Sequence, residues 1–274
     1  MLNLPAAVGL LAPMSEGESS EGYNPPTISE FFPEQVIGEG TFWGLTRIDL
    51  IALLMTGAVC LFFISAFRKP SLIPGKLQNV GEMALDVVYD NVIDEVMGVK
   101  GRKYAPLLMT LFWLILAFNV TGILPMMHIA VTSVVGVPIV FAIASYVAFN
   151  YAGIKEHGVG QYFKLNLFPA GVPKPIYLLV TPIEFISTFL LRPVTLTIRL
   201  LANMMSGHLL LVLFFGATSY FLFESSGLIQ LVAIPSYLMG LIFVFFEIIV
   251  TLLQAYIFTL LTAVYIDGAL SHEH

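Results

Sequence analysis

Long apolar runs constrain this chain more than any other feature of its sequence. Apolar residues dominate five stretches, at about 45–67, 104–130, 133–153, 176–223 and 228–266. About 20 such residues cross the hydrocarbon core of a bilayer as an α-helix. Only 11% of the 274 residues are charged and 58% are hydrophobic, too few charges for a water-exposed surface. We therefore predict an all-α integral membrane protein with about five membrane crossings.

The last two apolar stretches are too long to be single upright spans, because an α-helix rises about 1.5 Å per residue. The first of them must tilt strongly, bend or divide, and it contains Pro182 and Pro193. We expect two long, tilted membrane helices that form a hairpin across 176–266.

Polar segments separate the spans and set the organisation of the chain. The N-terminal tail is acidic, and its apolar 4–11 stretch resembles a signal peptide but has no preceding Lys or Arg. The predicted segments are the tail 1–44, a first transmembrane helix 45–67, a cytoplasmic segment 68–103, a transmembrane hairpin with a very short connection 104–153, a cytoplasmic loop 154–175, the two long helices 176–266 and the C-terminus 267–274.

The segment 76–97 has the periodicity of an amphipathic helix. Its apolar residues recur at helical spacing and its acidic residues step by four along another face. Such a helix lies along the membrane surface, docks a partner helix or is a solvated connector. The apolar residues are Leu77, Val80, Ala84 and Val87, and the acidic ones are Glu82, Asp86, Asp90 and Asp94.

The distribution of cations predicts the orientation. Nine of the twelve Lys and Arg residues fall in 68–103 and 155–174. Loops rich in Lys and Arg stay in the cytoplasm. We therefore expect these two loops in the cytoplasm and the N-terminus outside, and five crossings then put the C-terminus in the cytoplasm. As the membrane itself we expect the plasma membrane of a bacterium.

Arg199 is the most costly residue in the predicted spans. A charge near the bilayer centre costs about 2.5–3.5 kcal/mol on insertion scales. Because a guanidinium stays protonated in proteins, Arg199 can act only as a fixed positive charge and not as a proton relay. The structural alternative is an ion pair with Glu184 or Glu247.

Other polar residues in the two long helices share helical faces with one another. At 100° per residue, one stripe holds Arg192, Arg199, Asn203 and Ser206, with His208 nearly opposite Arg199, and a second stripe holds Glu247, Thr251 and Gln254. If the helices pack as a hairpin, Glu247 and His208 become natural partners.

Each remaining polar residue also has a structural alternative. His208 could be a satisfied core histidine, and Glu184 could cap a helix after Pro182. Asn119 could hydrogen-bond between helices, as most membrane asparagines do.

Three motifs resemble those of one known family. The segments RPVTLTIRLLANMMSGH at 192–208, LQAYIFTLL at 253–261 and NVTGILP at 119–125 resemble, in this order, motifs of subunit a of F-type ATP synthases. In that family this subunit is the membrane stator beside the rotating c ring. The tail is not covered by the resemblance.

The resemblance implies roles for individual residues. Arg199 matches the essential arginine that faces the c-ring carboxylate and separates two aqueous half-channels, and Asn203 and Gln254 match polar residues near it. His208 and Glu247 match positions where the family places an acid and a histidine. Glu184 resembles the cytoplasmic-side acid, although its spacing to Arg199 is one residue longer.

The family's motif after Asn119 carries an acid in some members where this chain has Gly122. That position therefore cannot serve a proton path here.

The function implied is that of the F0 stator, which passes protons to and from the c ring and so couples proton flow to ATP synthesis. The implied partners are the c ring, b-type peripheral stalk subunits, the other F0F1 subunits and membrane lipids. We expect no catalytic chemistry, nucleotide, nucleic acid, cofactor or metal on this chain, which lacks a phosphate-binding loop motif. A secondary ion-coupled transporter is the alternative, and a haem oxidoreductase, which needs facing histidines, is remote.

Overall fold

The computed structural model describes residues 35–37, 45–124, 127, 129–168 and 176–271. Most of the acidic tail, Pro125, Lys174 and the last three residues lie outside the described residues, together with the predictions that concern them.

Helices make up most of the described chain. A short antiparallel ribbon comes before the first of them, and Thr46 and Asp49 form a capping box at the start of that helix. The strands are β1, Gln35–Ile37, and β2, Leu45–Thr46; the α-helices are α1, Arg47–Phe67; α2, Lys76–Val88; α3, Ala105–Val120; α4, Gly136–His157; α5, Val159–Leu167; α6, Tyr177–Phe185; α7, Arg192–Phe223; and α8, Ala233–Leu270.

Shorter helices of other types join these elements. Tyr89–Asp94 and Ile186–Leu191 are π-helical, whereas Gly98–Lys103, Val131–Ser133 and Gly227–Val232 are 3-10 helices.

Four helical segments of the described chain are long and apolar enough to cross a membrane: Arg47–Phe67, Gly136–His157, Tyr177–Phe223 and Gly227–Leu270. The helix α3 is also apolar but has only 16 residues, a length of about 24 Å. These five apolar segments confirm the predicted all-α membrane architecture.

The helix α3 ends ten residues earlier than predicted. The Thr121 hydroxyl donates to the Phe118 carbonyl (2.6 Å) and accepts from the Val131 amide (3.1 Å). Such side-chain bonds compete with the helical ladder. The prediction of a very short connection was therefore wrong, because the described residues of 121–135 form no α-helix, and the bonds of Thr121 join them to the end of α3.

A helix that we did not predict occupies part of the 154–175 loop. This helix, α5, packs against α4 through Tyr162, which is buried and whose hydroxyl donates to Asn150 at 3.1 Å. Gly153 permits the contact, since a Cβ there would collide with the Tyr162 ring.

The two long apolar stretches form the predicted hairpin. From Tyr177 to Phe223 the chain is helical throughout, with the π-helical turn Ile186–Leu191 inside. The stretch turns at Gly227, whose φ of 72° suits glycine. The partner helix α8 then packs against α7, and Phe214 stacks on Phe243 with ring centroids 5.1 Å apart.

The core lies where α3, α4, α7 and α8 meet. Its fully buried side chains include Leu108, Ile115, Leu200, Phe258 and Ile266. By contrast, α1 lies outside this core, with most of its apolar surface exposed.

The amphipathic helix α2 turns its apolar stripe away from the protein. Leu77, Val80 and Val87 are exposed, whereas Gln78 and Gly81 are buried. A plain solvated connector would hide its apolar side chains, so this arrangement favours contact with lipid or with a partner helix over the connector.

Candidate functional site

The hairpin of α7 and α8 encloses a polar groove. Its cavity of about 380 Å³ lies between apolar walls. The polar lining comes from both predicted stripes: Arg199, Asn203 and Ser206 of α7, and Glu247 and Gln254 of α8. The structure thus brings together most of the residues that the helical periodicity selected.

Arg199 is half-buried in this groove and has no partner within the described chain. No hydrogen bond, ion pair or aromatic contact of its guanidinium is formed with the described residues. The structural alternative of a salt bridge to Glu184 or Glu247 is therefore absent from the described part of the molecule.

Asn203 and Gln254 connect the two helices beside Arg199. The Asn203 amide donates to the Gln254 carbonyl oxygen at 2.7 Å. The other end of the Gln254 amide, Nε2, is buried and has no hydrogen-bond partner among the described residues. This pair fixes the register of the hairpin and keeps one donor available.

Glu247 lies deeper in the groove, against Gly207. A Cβ on Gly207 would be 2.9 Å from Glu247 Oε1 and 3.1 Å from its carboxyl carbon, so only glycine leaves the carboxyl this position. Glu247 Oε2 and the neighbouring Thr251 hydroxyl are both buried without a described partner. Buried polar atoms are nearly always hydrogen-bonded, frequently to ordered water.

His208 is buried on the other side of α7, as its position opposite Arg199 predicted. It lines a second and larger cavity of about 780 Å³, whose walls include Gly122, Ile129 and Val244. Gly207 lines the groove and the next residue, His208, lines this cavity, so the two spaces lie at the same level of α7 on different faces.

Arg192 does not line the groove with Arg199, although their spacing of seven residues places both on one face of α7. Its guanidinium lies over the rings of Tyr265 (5.0 Å to the centroid) and Phe149 (5.8 Å). The arginine thereby anchors the start of α7 to α4 and α8 through cation–π contacts.

Glu184 lies on α6, half-buried and outside the groove. The π-helical turn Ile186–Leu191 separates it from Arg199. A π turn takes about one residue more than an α turn. The turn therefore takes up about one of the 15 residues from Glu184 to Arg199, and it brings the two closer in angle around the helix axis than 15 purely α-helical residues would.

Two further predicted residues, Asn119 and Ser206, form hydrogen bonds within the described chain. Asn119 is fully buried and accepts a hydrogen bond from Thr132, in the connection after α3. Ser206 is exposed at the groove mouth, where its hydroxyl donates to the Asn203 carbonyl at 3.2 Å. Asn119 thus stabilises a turn through its carbonyl oxygen, while its buried Nδ2 has no partner among the described residues. Ser206 belongs to the groove.

Gly207 is the residue that we missed. Its position in the sequence indicated that it faces the groove, since it lies four residues after Asn203 and immediately before His208. Small residues let membrane helices approach closely, and here the gap accommodates a carboxyl group.

The comparison with known proteins agrees with this geometry. A family model described as ATP synthase A chain matches residues 50–267. The chain belongs to this family. Relatives called ATP synthase subunit a include those of Rhodococcus erythropolis, 45% identical over 93% of this chain and 94% of the relative, and Nocardioides sp., 38% identical over 93% and 95%. Another, from Streptomyces lividans, is 40% identical over 92% and 90%.

Family membership makes the chain part of the F0F1 ATP synthase, as the stator subunit that carries the proton channel. It is a multi-pass protein of the cell membrane. The family match gives no support to the alternative of a secondary transporter.

Proposed function

We propose that the groove between α7 and α8 is where this stator subunit meets the proton-carrying carboxylates of a rotating c ring. The observation that carries the proposal is Arg199, a half-buried cation in a membrane-spanning helix without a partner in the described chain. A charge at that depth needs a counter-charge. A carboxylate on a neighbouring subunit supplies one.

The surface around the groove suits such a neighbour. Ile198 on α7 and Phe246 and Leu253 on α8 are 57%, 56% and 49% exposed. An apolar helix carrying one acid could pack on these side chains and place its carboxylate beside Arg199.

The outer half-channel begins, on this proposal, at the cavity lined by His208. A proton entering there passes His208 and reaches Glu247, whose carboxyl lies against Gly207 and faces the groove. Imidazole and carboxyl groups both bind and release protons near neutral pH when their surroundings permit. The buried atoms of Glu247, Thr251 and Gln254 that have no partner among the described residues are suited to hold the water that would complete the path.

The inner half-channel lies toward the cytoplasmic end of the hairpin, near Glu184. A carboxylate that has turned through the lipid meets this side last and releases its proton there. The π-helical turn supports this role, since it reduces the angle between Glu184 and Arg199 around the helix axis. The cytoplasmic placement rests on the clustering of nine of the twelve cations on that side.

Arg199 separates the two half-channels by electrostatics. Its positive charge stabilises the ionised form of the rotor carboxylate and repels protons that would cross directly. Each charge moved across the membrane yields about 2.3 kcal/mol per 100 mV, which is the work that drives rotation.

Other subunits of the complex supply the functions that this chain does not. We infer that b-type stalk subunits hold the chain still, that nucleotide chemistry belongs to other subunits and that the N-terminus is outside, with five crossings leaving the C-terminus in the cytoplasm.

The decisive experiment compares ATP-driven proton pumping and passive proton leak in vesicles that carry the assembled complex. Arg199→Ala should abolish driven pumping and retain or increase the leak, while the control Arg68→Ala, at an exposed cation after α1, should change neither. Arg199→Lys tests whether charge alone suffices. Normal pumping by Arg199→Ala would overturn the proposal.

A further inference from the structure

A second polar site lies far from the groove, at the end of the bundle where α3 begins and α4 and α8 end. A cleft of about 330 Å³ opens there. Its polar lining is Lys100 and Lys103 from the 3-10 helix, Lys155 and Glu156 from α4, and Tyr104. The proton path uses none of these residues.

The backbone brings two of the lysines together. In a 3-10 helix, side chains at positions i and i+3 eclipse one another, so Lys100 and Lys103 project from the same side of Gly98–Lys103. The helix can be this tight because Gly101 is buried against Ile93 and Met97, where a Cβ would lie 2.6 Å from Met97 Cβ.

Lys155 completes the cluster from the facing helix. It lies in the last turn of α4, and its Nζ is 5.5 Å from the centroid of the Tyr151 ring. No ion pair neutralises Lys100, Lys103 or Lys155 within the described part of the chain. Among the described residues, three cations thus face one cleft that contains a single carboxylate, Glu156.

The position of the cleft indicates the kind of anion it fits. It lies level with the first residue of α3 and the last residue of α8, where these apolar helices end. The headgroup region of a bilayer flanks the ends of its spanning helices. Val99 and Tyr151 are exposed beside it, at 77% and 58%, and Leu270 lines it. Apolar side chains next to a cation cluster match the acyl chains and the phosphate of one lipid.

We propose that this cleft binds the phosphate headgroup of an anionic phospholipid. Basic pockets between the ends of transmembrane helices bind such headgroups. The Tyr104 hydroxyl, which also lines the cleft, is a further hydrogen-bond donor. The site would tie the cytoplasmic ends of α3, α4 and α8 to the membrane surface.

The test uses the whole complex in nanodiscs of phosphatidylcholine that contain photoactivatable phosphatidylglycerol. The chain should be labelled at this cleft. The triple variant Lys100→Gln, Lys103→Gln, Lys155→Gln should lose labelling, by about fivefold per lysine removed. The matched control is Lys69→Gln, Lys76→Gln, Lys164→Gln, which removes the same charge from exposed positions and should keep the labelling.

Two outcomes overturn the proposal. Equal labelling of the triple variant and its control would show that no lipid is held by these lysines. Loss of labelling on adding inorganic phosphate, but not chloride at equal ionic strength, would identify a free-phosphate site instead. If the triple variant fails to assemble, Lys155→Gln alone should still reduce labelling. Since the readout is lipid contact rather than proton flux, failure here leaves the groove proposal intact.

Discussion

The two halves of α8 bury the same kinds of polar side chain in different ways. In the half that packs inside the bundle, the Thr259 and Thr262 hydroxyls donate to the carbonyls of Ala255 and Phe258, both at 2.9 Å. In the half that lines the groove, Thr251 is equally buried, yet its hydroxyl has no partner among the described residues. One helix thus contains both satisfied and unsatisfied threonines.

The difference separates structural from functional polarity. A satisfied hydroxyl contributes modestly to stability, whereas an unsatisfied buried polar atom costs about 1–3 kcal/mol. Two residues that line the groove, Glu247 and Gln254, have such atoms, and Thr251 lies within one turn of both. Arg199, which also lines the groove, has no partner among the described residues. Where several such atoms lie close together, water, protons or another subunit supply the missing partners.

The largest effect within this chain, after loss of Arg199, is expected from Glu247→Gln. The amide keeps the size of the side chain but cannot carry a proton, so we expect proton-driven ATP synthesis to fall about tenfold or more. Synthesis is measured in vesicles under an imposed proton gradient. Glu224→Gln, at an exposed carboxylate after α7, is the control, and an equal rate in both variants would remove Glu247 from the path.

A smaller loss is expected from Gly207→Ala. The added Cβ would meet Glu247 Oε1 at 2.9 Å, so the carboxyl must move away from its present position. We expect a severalfold fall in proton flux with normal assembly. Gly268→Ala adds a methyl group to α8 with nothing within 4 Å, and it should leave the flux unchanged. Unaltered flux in Gly207→Ala would show that the position of the carboxyl is not critical.

The smallest effect is expected from Arg192→Gln, because Arg192 binds aromatic rings rather than the rotor. Loss of its cation–π contacts should lower stability by about 0.5–2 kcal/mol and leave proton leak unchanged. Burial already raises the pKa of Tyr162, and Arg192 opposes this shift. Removing the positive charge should therefore raise the pKa of Tyr162 further. Phenolate absorbance during an alkaline titration measures this shift, with Arg68→Gln as the control. An increased leak would instead place Arg192 in the channel.

Helical periodicity predicted the groove well, because regular helices fix which residues share a face. The stripes of Asn203 on α7 and Gln254 on α8 meet in the hairpin. The partnership expected of Glu247 and His208 does not form, because the two residues line different cavities on different faces of α7. The opposite placement of His208 was predicted for the same reason.

Where the helix departs from α geometry, prediction from periodicity fails. The π-helical turn Ile186–Leu191 alters the angular position of Glu184 relative to Arg199, and no hydropathy pattern reveals such a turn. The end of α3 was not predicted because the helix stops within an apolar run, where the Val131 amide donates a hydrogen bond to the Thr121 hydroxyl ten residues earlier. Arg192 shares a stripe with Arg199, yet its long side chain reaches the aromatic rings of neighbouring helices.

The role of Gly207 was invisible for another reason. A glycine has no side chain whose chemistry marks it, and its function depends on a carboxyl from a helix 40 residues later.

The central claim is that water reaches the groove half of α8 but not its bundle half. In a Cys60→Ser background, Thr251→Cys and Thr259→Cys place similar thiols at sites 1% and 0% exposed. A small water-soluble thiol reagent should react with the thiol at position 251 and block proton flux, because only a hydrated thiol ionises and reacts readily. The thiol at position 259 should stay unreactive. Equal reactivity at both positions, or reaction at 259 alone, would contradict the account.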